Sequence, residues 1–257
     1  MNTKWNKFLL EAKENDSIDL PSLEIKNSLN MNVWQSEERV KPEITSRLIQ
    51  IALDFMDSME VAQEDIIDIT FTGSLANFNW TEYSDIDLHI MVDYRDIGDN
   101  DSLVRDFFNA KKSDWNKTHK IMIRGHEVEV YVQDINEPHV STGVYSLLED
   151  QWLVKPSRMK PRIDYKNVEI KAKSLMDEID RIEDLFEKEN YEAAYNVAGL
   201  LRDKIKKLRR CGIMEKGIFS TENLVFKVLR NNEYIKKLFD TRIKAYDRMM
   251  SLNHNAI

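Results

Sequence analysis

TGSLANFNWTEYSDIDLHIMV, residues 72–92, places a Gly-Ser turn after one strand and two aspartates on the next. The run Ile67-Asp68-Ile69-Thr70-Phe71 leads into it, and its β-branched alternation reads as a strand that Gly73 ends. The chain has only seven glycines in 257 residues, so a glycine at this position is informative. Without a Cβ the turn tightens, and an anion such as a phosphate can approach the backbone N–H groups of Ser74 and Leu75. The Ser74 hydroxyl adds a donor. A helix beginning near Leu75 would add the unpaired N–H groups of its first turn.

Ser84-Asp85-Ile86-Asp87-Leu88-His89-Ile90 alternates polar and apolar residues, the pattern of a half-buried strand. Asp85 and Asp87 therefore share one face, and Ile86, Leu88 and Ile90 share the other. Two neighbouring carboxylates repel unless a positive charge lies between them, and Mg²⁺ prefers such hard oxygen ligands. A bare Asp-x-Asp is equally well explained as a solvated edge strand; the upstream Gly73-Ser74 shifts the balance toward a site.

These residues resemble the DNA polymerase β-like nucleotidyltransferase superfamily, whose signature is a hydrophobic strand, a Gly-Ser turn, a spacer and Asp-x-Asp on the following strand. Here that reads Phe71-Thr72-Gly73-Ser74 and Ser84-Asp85-Ile86-Asp87-Leu88, within a core of about residues 65–135. The whole chain also looks like uncharacterised nucleotidyltransferase-like proteins of tailed phages, a likeness that carries no substrate. The resemblance implies a third carboxylate on a later strand, for which Gly125-His126-Glu127-Val128-Glu129-Val130-Tyr131-Val132 is the candidate. Alternation turns Val128, Val130 and Val132 inward and leaves Glu127, Glu129 and Tyr131 together, so periodicity does not choose between the glutamates. The family pattern favours Glu129, although the family more often has Asp there and the longer Glu alters ligand reach.

The implied chemistry follows from charge. The β and γ phosphates of an NTP such as ATP would lie over Gly73-Ser74, with the α-phosphate beside Asp85 and Asp87. Two Mg²⁺ ions, or Mn²⁺ in their place, held by Asp85, Asp87 and Glu129, would align an acceptor hydroxyl for in-line attack and release pyrophosphate. His89 follows on the same face and reads as a hydrogen-bonding neighbour rather than a ligand. Asn77, Trp80 and Tyr83 in the spacer read as loop packing, with stacking on a base the competing role. The sequence has no Gly-x-x-x-x-Gly-Lys-Ser/Thr, no His-Glu-x-x-His and no paired cysteines, which excludes a P-loop and the common zinc motifs.

With 42% apolar composition over 257 residues, the chain can bury one large core or two small ones. No stretch is apolar enough to span a bilayer, Met1-Asn2-Thr3-Lys4-Trp5 does not read as a signal peptide, and the single Cys211 suits a reducing compartment. Together these predict a soluble cytoplasmic protein, in a host cytoplasm if phage-encoded, with Cys211 a small, at least half-buried residue. The net charge is −8, yet residues 202–248 hold 14 Lys/Arg against 6 Asp/Glu, a local +8 that leaves −16 elsewhere. Arg202, Lys204, Lys206, Lys207, Arg209 and Arg210 crowd one helix, either a solvated face or a contact for RNA or tRNA phosphates.

The predicted organisation is α+β. An N-terminal arm over 1–40 includes a short helix with Trp5, Phe8 and Leu9 on one side. A nucleotidyltransferase core over 41–152 holds a small mixed sheet with helices on one side. Within it a helix follows Pro42, an amphipathic helix starts near Asp101 or Ser102 and carries Leu103, Phe107, Phe108 and Trp115, and Gly125 sits in a turn. A linker over 153–165 contains Pro156 and Pro161 with Lys155, Arg158, Lys160 and Arg162, basic residues that either meet triphosphate or simply solvate the linker. A helical domain of four helices fills 166–257, Ser220 capping one of them. The competing functions are a non-catalytic nucleotide-binding or interaction module on the same fold, and a synthase of oligonucleotide second messengers.

Overall fold

In the computed structural model, which describes residues 20–138, 141–158 and 161–252, the stretch after Ser84 is strand β4 (Ile86–Val92). It lies inside a six-stranded sheet with β3 (Asp68–Thr72), β5 (Met122–Ile123), β6 (His126–Asp134), β7 (Val144–Ser146) and β8 (Gln151–Val154), in the order β5-β6-β4-β3-β7-β8. Only β4 and β6 pair in parallel; every other neighbour in this sheet is antiparallel. The expected helix around Trp5, Phe8 and Leu9 lies outside the described residues, as does Lys160.

The protein divides into two compact units, one spanning Ser22–Lys160 and the other containing the helices after Pro161. In the first, Ile86, Leu88 and Ile90 are fully buried, as the alternation requires, against Ile69 and Phe71 of β3 and Val128 and Val130 of β6. Helix α1 (Pro42–Asp57) covers this core. Proline opens its first turn, and Ile44, Leu48, Ile51, Ala52, Phe55 and Met56 make a continuous buried stripe at helical spacing.

After a one-turn helix α2 (Tyr94–Ile97), α3 (Asp101–Thr118) carries the chain from β4 to β6. Its cap is Asn100, whose Oδ1 accepts from the backbone N–H groups of Ser102 and Leu103, so the helix begins at Asp101 as expected. Phe108 is buried and Trp115 packs against the core as expected, with Val104 completing the buried line of α3, while Leu103 and Phe107 are exposed at 67% and 39%. The reason is the sheet edge: Asn116 Oδ1 accepts from Val130 N–H and its Nδ2 donates to Val130 O, both at 3.2 Å. That side chain stands in for a missing strand along β6 and fixes which face of α3 looks inward.

β5 and β6 form a hairpin closed by Arg124 and Gly125, both at positive φ, as a two-residue hairpin turn demands. Residues 22–40 pack into this unit rather than lying on it. Leu29, Val33, Trp34 and Val40 are buried, and Trp34 stacks between Phe71 and Trp152 at centroid distances of 5.5 and 4.7 Å. A short ladder of β1 (Trp34–Ser36) and β2 (Arg39–Val40) leads from there into α1.

The second unit holds α4 (Tyr165–Glu187), α5 (Tyr191–Lys216), α6 (Thr221–Asn231) and α7 (Tyr234–Met250). Asp164 caps α4 through Asn167 N–H, and Ser220 caps α6 through Asn223 N–H. Ala172, Ile179, Ala194, Ala198, Leu229 and Ala245 are buried within it. Cys211 is exposed, against expectation; its neighbour Gly212 takes the buried position, where a Cβ would come within 2.8 Å of Glu222 Cβ. The class is α+β as the pattern predicts, a mixed sheet with helices and then C-terminal helices. None of the described helices is long and apolar enough to cross a membrane.

Candidate active site

Gly73 ends β3 at φ +79°, and a Cβ built there would lie 1.8 Å from Asp87 Oδ2. The absent side chain is thus the space in which the Asp87 carboxylate sits. The expected helix near Leu75 does not form; residues 73–83 run through bends and turns. The Ser74 hydroxyl donates to Ser84 Oγ at 2.8 Å, and Ser84 Oγ also accepts from Thr81 N–H. Ser74 therefore ties the turn to the entry of β4, directly before Asp85.

Two further bonds brace this loop. Trp34 Nε1 donates to Leu75 O at 2.8 Å. His126, buried at the start of β6, faces Ser84 O through Nδ1 at 2.7 Å and Asn30 Nδ2 through Nε2 at 2.9 Å. A carbonyl only accepts, so Nδ1 donates and Nε2 accepts from the Asn30 amide, which defines a neutral imidazole. Asn77 is buried and donates to Thr142 Oγ1, and Trp80 Nε1 donates to Ser28 O, so both serve the loop; Tyr83 is exposed.

Asp87 is the register partner of Glu129 across the parallel β4–β6 pair, and of Thr72 across β3–β4. Asp85 precedes β4, and Glu127 lies at the start of β6 opposite Met122. All four acidic side chains are half-buried. Tyr131, two residues beyond Glu129, donates its hydroxyl to Glu129 Oε2. Burial, then the charge and hydrogen bond of Glu129, then the charges of Asp87 and Asp85, push the phenol well above its usual range, so it remains a neutral donor.

His89 stacks on Tyr131 at 4.9 Å and pairs through Nδ1 with Gln133 Oε1 at 2.8 Å. These groups border a cleft of about 420 Å³ lined by Thr72, Gly73, Asp87, His89, Tyr131 and Gln133, among others. Lys112 of α3 reaches the same cluster, its ammonium 4.0 Å from the Tyr131 ring centroid. Burial lowers its pKa, while Glu129 and Asp87 pull it back up.

The oxygen donors are of the type Mg²⁺ takes. Among the described residues, no group of three acidic, histidine or cysteine side chains is placed to hold a metal ion by itself. Mg²⁺ rarely needs one, since one or two carboxylates plus substrate phosphate and water commonly complete its shell. The adjacent Asp87 and Glu129 match that requirement.

The basic groups are largely engaged elsewhere. Lys155 pairs with Glu38, and Arg158 pairs with Glu37 and lies over Phe78. On α5, Arg202 pairs with Asp203, Lys204 with Glu178, and Arg209 stacks on Phe226; Lys206, Lys207 and Arg210 are exposed. Sequence reasoning missed Lys112, Trp34 and His126. For Lys112 a signal existed: it sits one helical turn from both Phe108 and Asn116.

No protein-family model matches the chain, and no curated protein matches it. Among solved structures it is similar to a STING-associated CdnE c-di-GMP synthase from Capnocytophaga granulosa, at 15% identity and a TM-score of 0.21, over 82% of this chain and 83% of that one. At that score the similarity carries no weight for fold or function.

Proposed function

We propose that this cleft binds a nucleoside triphosphate and transfers its nucleoside monophosphate to an acceptor hydroxyl. The observation that supports the reading is the Asp87–Glu129 pair, in register on parallel strands, beside a glycine turn whose missing Cβ makes room for one of the two carboxylates. In this reaction the acceptor oxygen bonds to the α-phosphorus, the bond from that phosphorus to the bridging oxygen breaks, and pyrophosphate leaves with the electron pair. The phosphates would lie over the Gly73-Ser74 turn, facing the backbone N–H groups of Ser74 and Leu75. Asp85, Asp87 and Glu129 would hold Mg²⁺ or Mn²⁺, which when bound neutralises phosphate charge and acidifies the acceptor hydroxyl. Glu129 is the group we assign to receive the acceptor's proton, and Tyr131 orients its carboxylate.

The acceptor we favour is RNA or a nucleotide, on the ground that Lys206, Lys207 and Arg210 are exposed cations on one helix. Production of an oligonucleotide messenger would use the same three carboxylates. One competing reading has an observation of its own: the Tyr131 hydroxyl already occupies Glu129 Oε2, as it would in a nucleotide-binding module without catalysis.

The deciding experiment incubates the protein with each α-labelled NTP, Mg²⁺ or Mn²⁺, and fractionated cell extract. Labelled RNA, labelled protein or a small labelled product would support transfer and name the acceptor. No label in any fraction, together with NTP-induced thermal stabilisation, would instead support the binding module. Absence of both label and stabilisation would sink the nucleotide reading.

A further inference from the structure

We infer that Lys112 is a positioning residue of this site: its ammonium, held over the Tyr131 ring, is the built-in counter-charge that keeps Asp87 and Glu129 side by side and that an incoming divalent cation must compete with. The inference rests on the metal-dependent reading above and adds a residue to it.

The position of Lys112 is set from three sides. One turn later on α3, Asn116 clasps the backbone of Val130 on both its N–H and its C=O. One turn earlier, Phe108 is 1% exposed and packs near Tyr94 at 5.7 Å. Between these two anchors the Lys112 side chain is directed along the edge of β6 and ends 4.0 Å from the Tyr131 centroid. A half-buried lysine is costly at such a position, and a methionine would fill the same space without that cost.

The ring of Tyr131 and the acidic cluster recover part of that cost. The ring face under the ammonium attracts it, and the hydroxyl of that same ring donates to Glu129, whose register partner is Asp87. Among the described residues, no lysine or arginine lines the cleft itself. Lys112 thus brings positive charge to the far side of the Tyr131–Glu129 hydrogen bond without itself lining the cleft that Asp87 borders.

The test is Mn²⁺ binding to the full chain without nucleotide, read from the free-ion electron paramagnetic resonance signal, for wild type, Lys112→Met and Lys112→Arg. With its competitor removed, Lys112→Met should bind Mn²⁺ about tenfold more tightly, whereas Lys112→Arg should match wild type. A lysine that served packing alone would leave affinity unchanged or reduce it on substitution. Adding Asp87→Asn to Lys112→Met should erase the gain. Circular dichroism checks the fold, and Lys112→Gln replaces the methionine variant if that one misfolds. Equal or weaker Mn²⁺ binding by the folded neutral variant overturns the role of Lys112 alone. No binding by either wild type or that variant overturns both this inference and the metal-dependent reading.

Discussion

The carboxylate of Asp87 lies where a side chain on Gly73 would begin, 1.8 Å from the position of its Cβ. Backbone conformation at the end of β3 and the orientation of an acidic side chain on β4 are therefore one feature. Gly73→Ala must either move Asp87 or open the β3–β4 pair, and it also places a Cβ at φ +79°. We expect a loss of about 1–3 kcal/mol in urea unfolding from the strained backbone, and a fall in NTP turnover of about 100-fold from the displaced carboxylate. In an Asp87→Ala background the stability cost of Gly73→Ala should shrink, because the overlapping group is gone; equal costs in both backgrounds would show that the two residues are uncoupled.

Asp87→Ala by itself should leave the fold intact, since the residue is half-buried and faces the cleft rather than the core. Turnover should fall roughly 100- to 1000-fold. Asp87→Asn keeps the shape and removes the charge, so it should be as inactive as the alanine variant. Full activity with either substitution would remove Asp87 from the site.

Trp34 couples residues 22–40 to the loop beyond Gly73 through its bond to Leu75 O. Trp34→Phe keeps most of the stack on Phe71 and Trp152 but abandons that carbonyl, at a cost of about 1–3 kcal/mol. Trp34→Ala should cost about 3–5 kcal/mol. Because the phenylalanine variant loosens the loop we propose to face the phosphates, its KM for NTP should rise more than its kcat falls. Steady-state kinetics checks that split.

Asp68 supplies a pH signature. Burial raises its pKa above 3.8, against the hydrogen bonds it accepts from Ser146 Oγ and Ile69 N–H. Above 3.8 the native state holds this proton more tightly than the unfolded chain, so the group's favourable contribution is complete below that pH and is lost as pH rises through the higher folded value. Asp68→Asn retains an acceptor oxygen and has no charge to bury. Its stability relative to wild type should therefore improve from pH 3 toward pH 7, measured by urea unfolding at matched ionic strength. A constant difference across that range would show that Asp68 titrates as an exposed carboxylate does.

Local rules carried much of the fold. The alternation of Ile86, Leu88 and Ile90 with Asp87 and His89 was visible because a strand's two-residue period sends neighbours to opposite faces. The α1 stripe and the Ser220 cap follow from equally short-range geometry. Leu103 and Phe107 misled, because hydrophobicity marks an amphipathic helix without saying which of two adjacent apolar lines meets the sheet; the Asn116 clasp on Val130 made that choice.

For the candidate site, sequence alone determined residue chemistry and strand-face parity: a glycine before a turn, two aspartates on one face, and two glutamates sharing the face of a later strand. Which carboxylates become neighbours was decided by tertiary structure. Parallel pairing sets Asp87 against Glu129, a hydrogen bond turns Tyr131 toward that glutamate, and Lys112 arrives from a helix clasped to the strand edge. Parity within a strand is a property of the backbone repeat, but register between strands depends on which alignment buries the most apolar surface, and that sum includes residues far away in the chain.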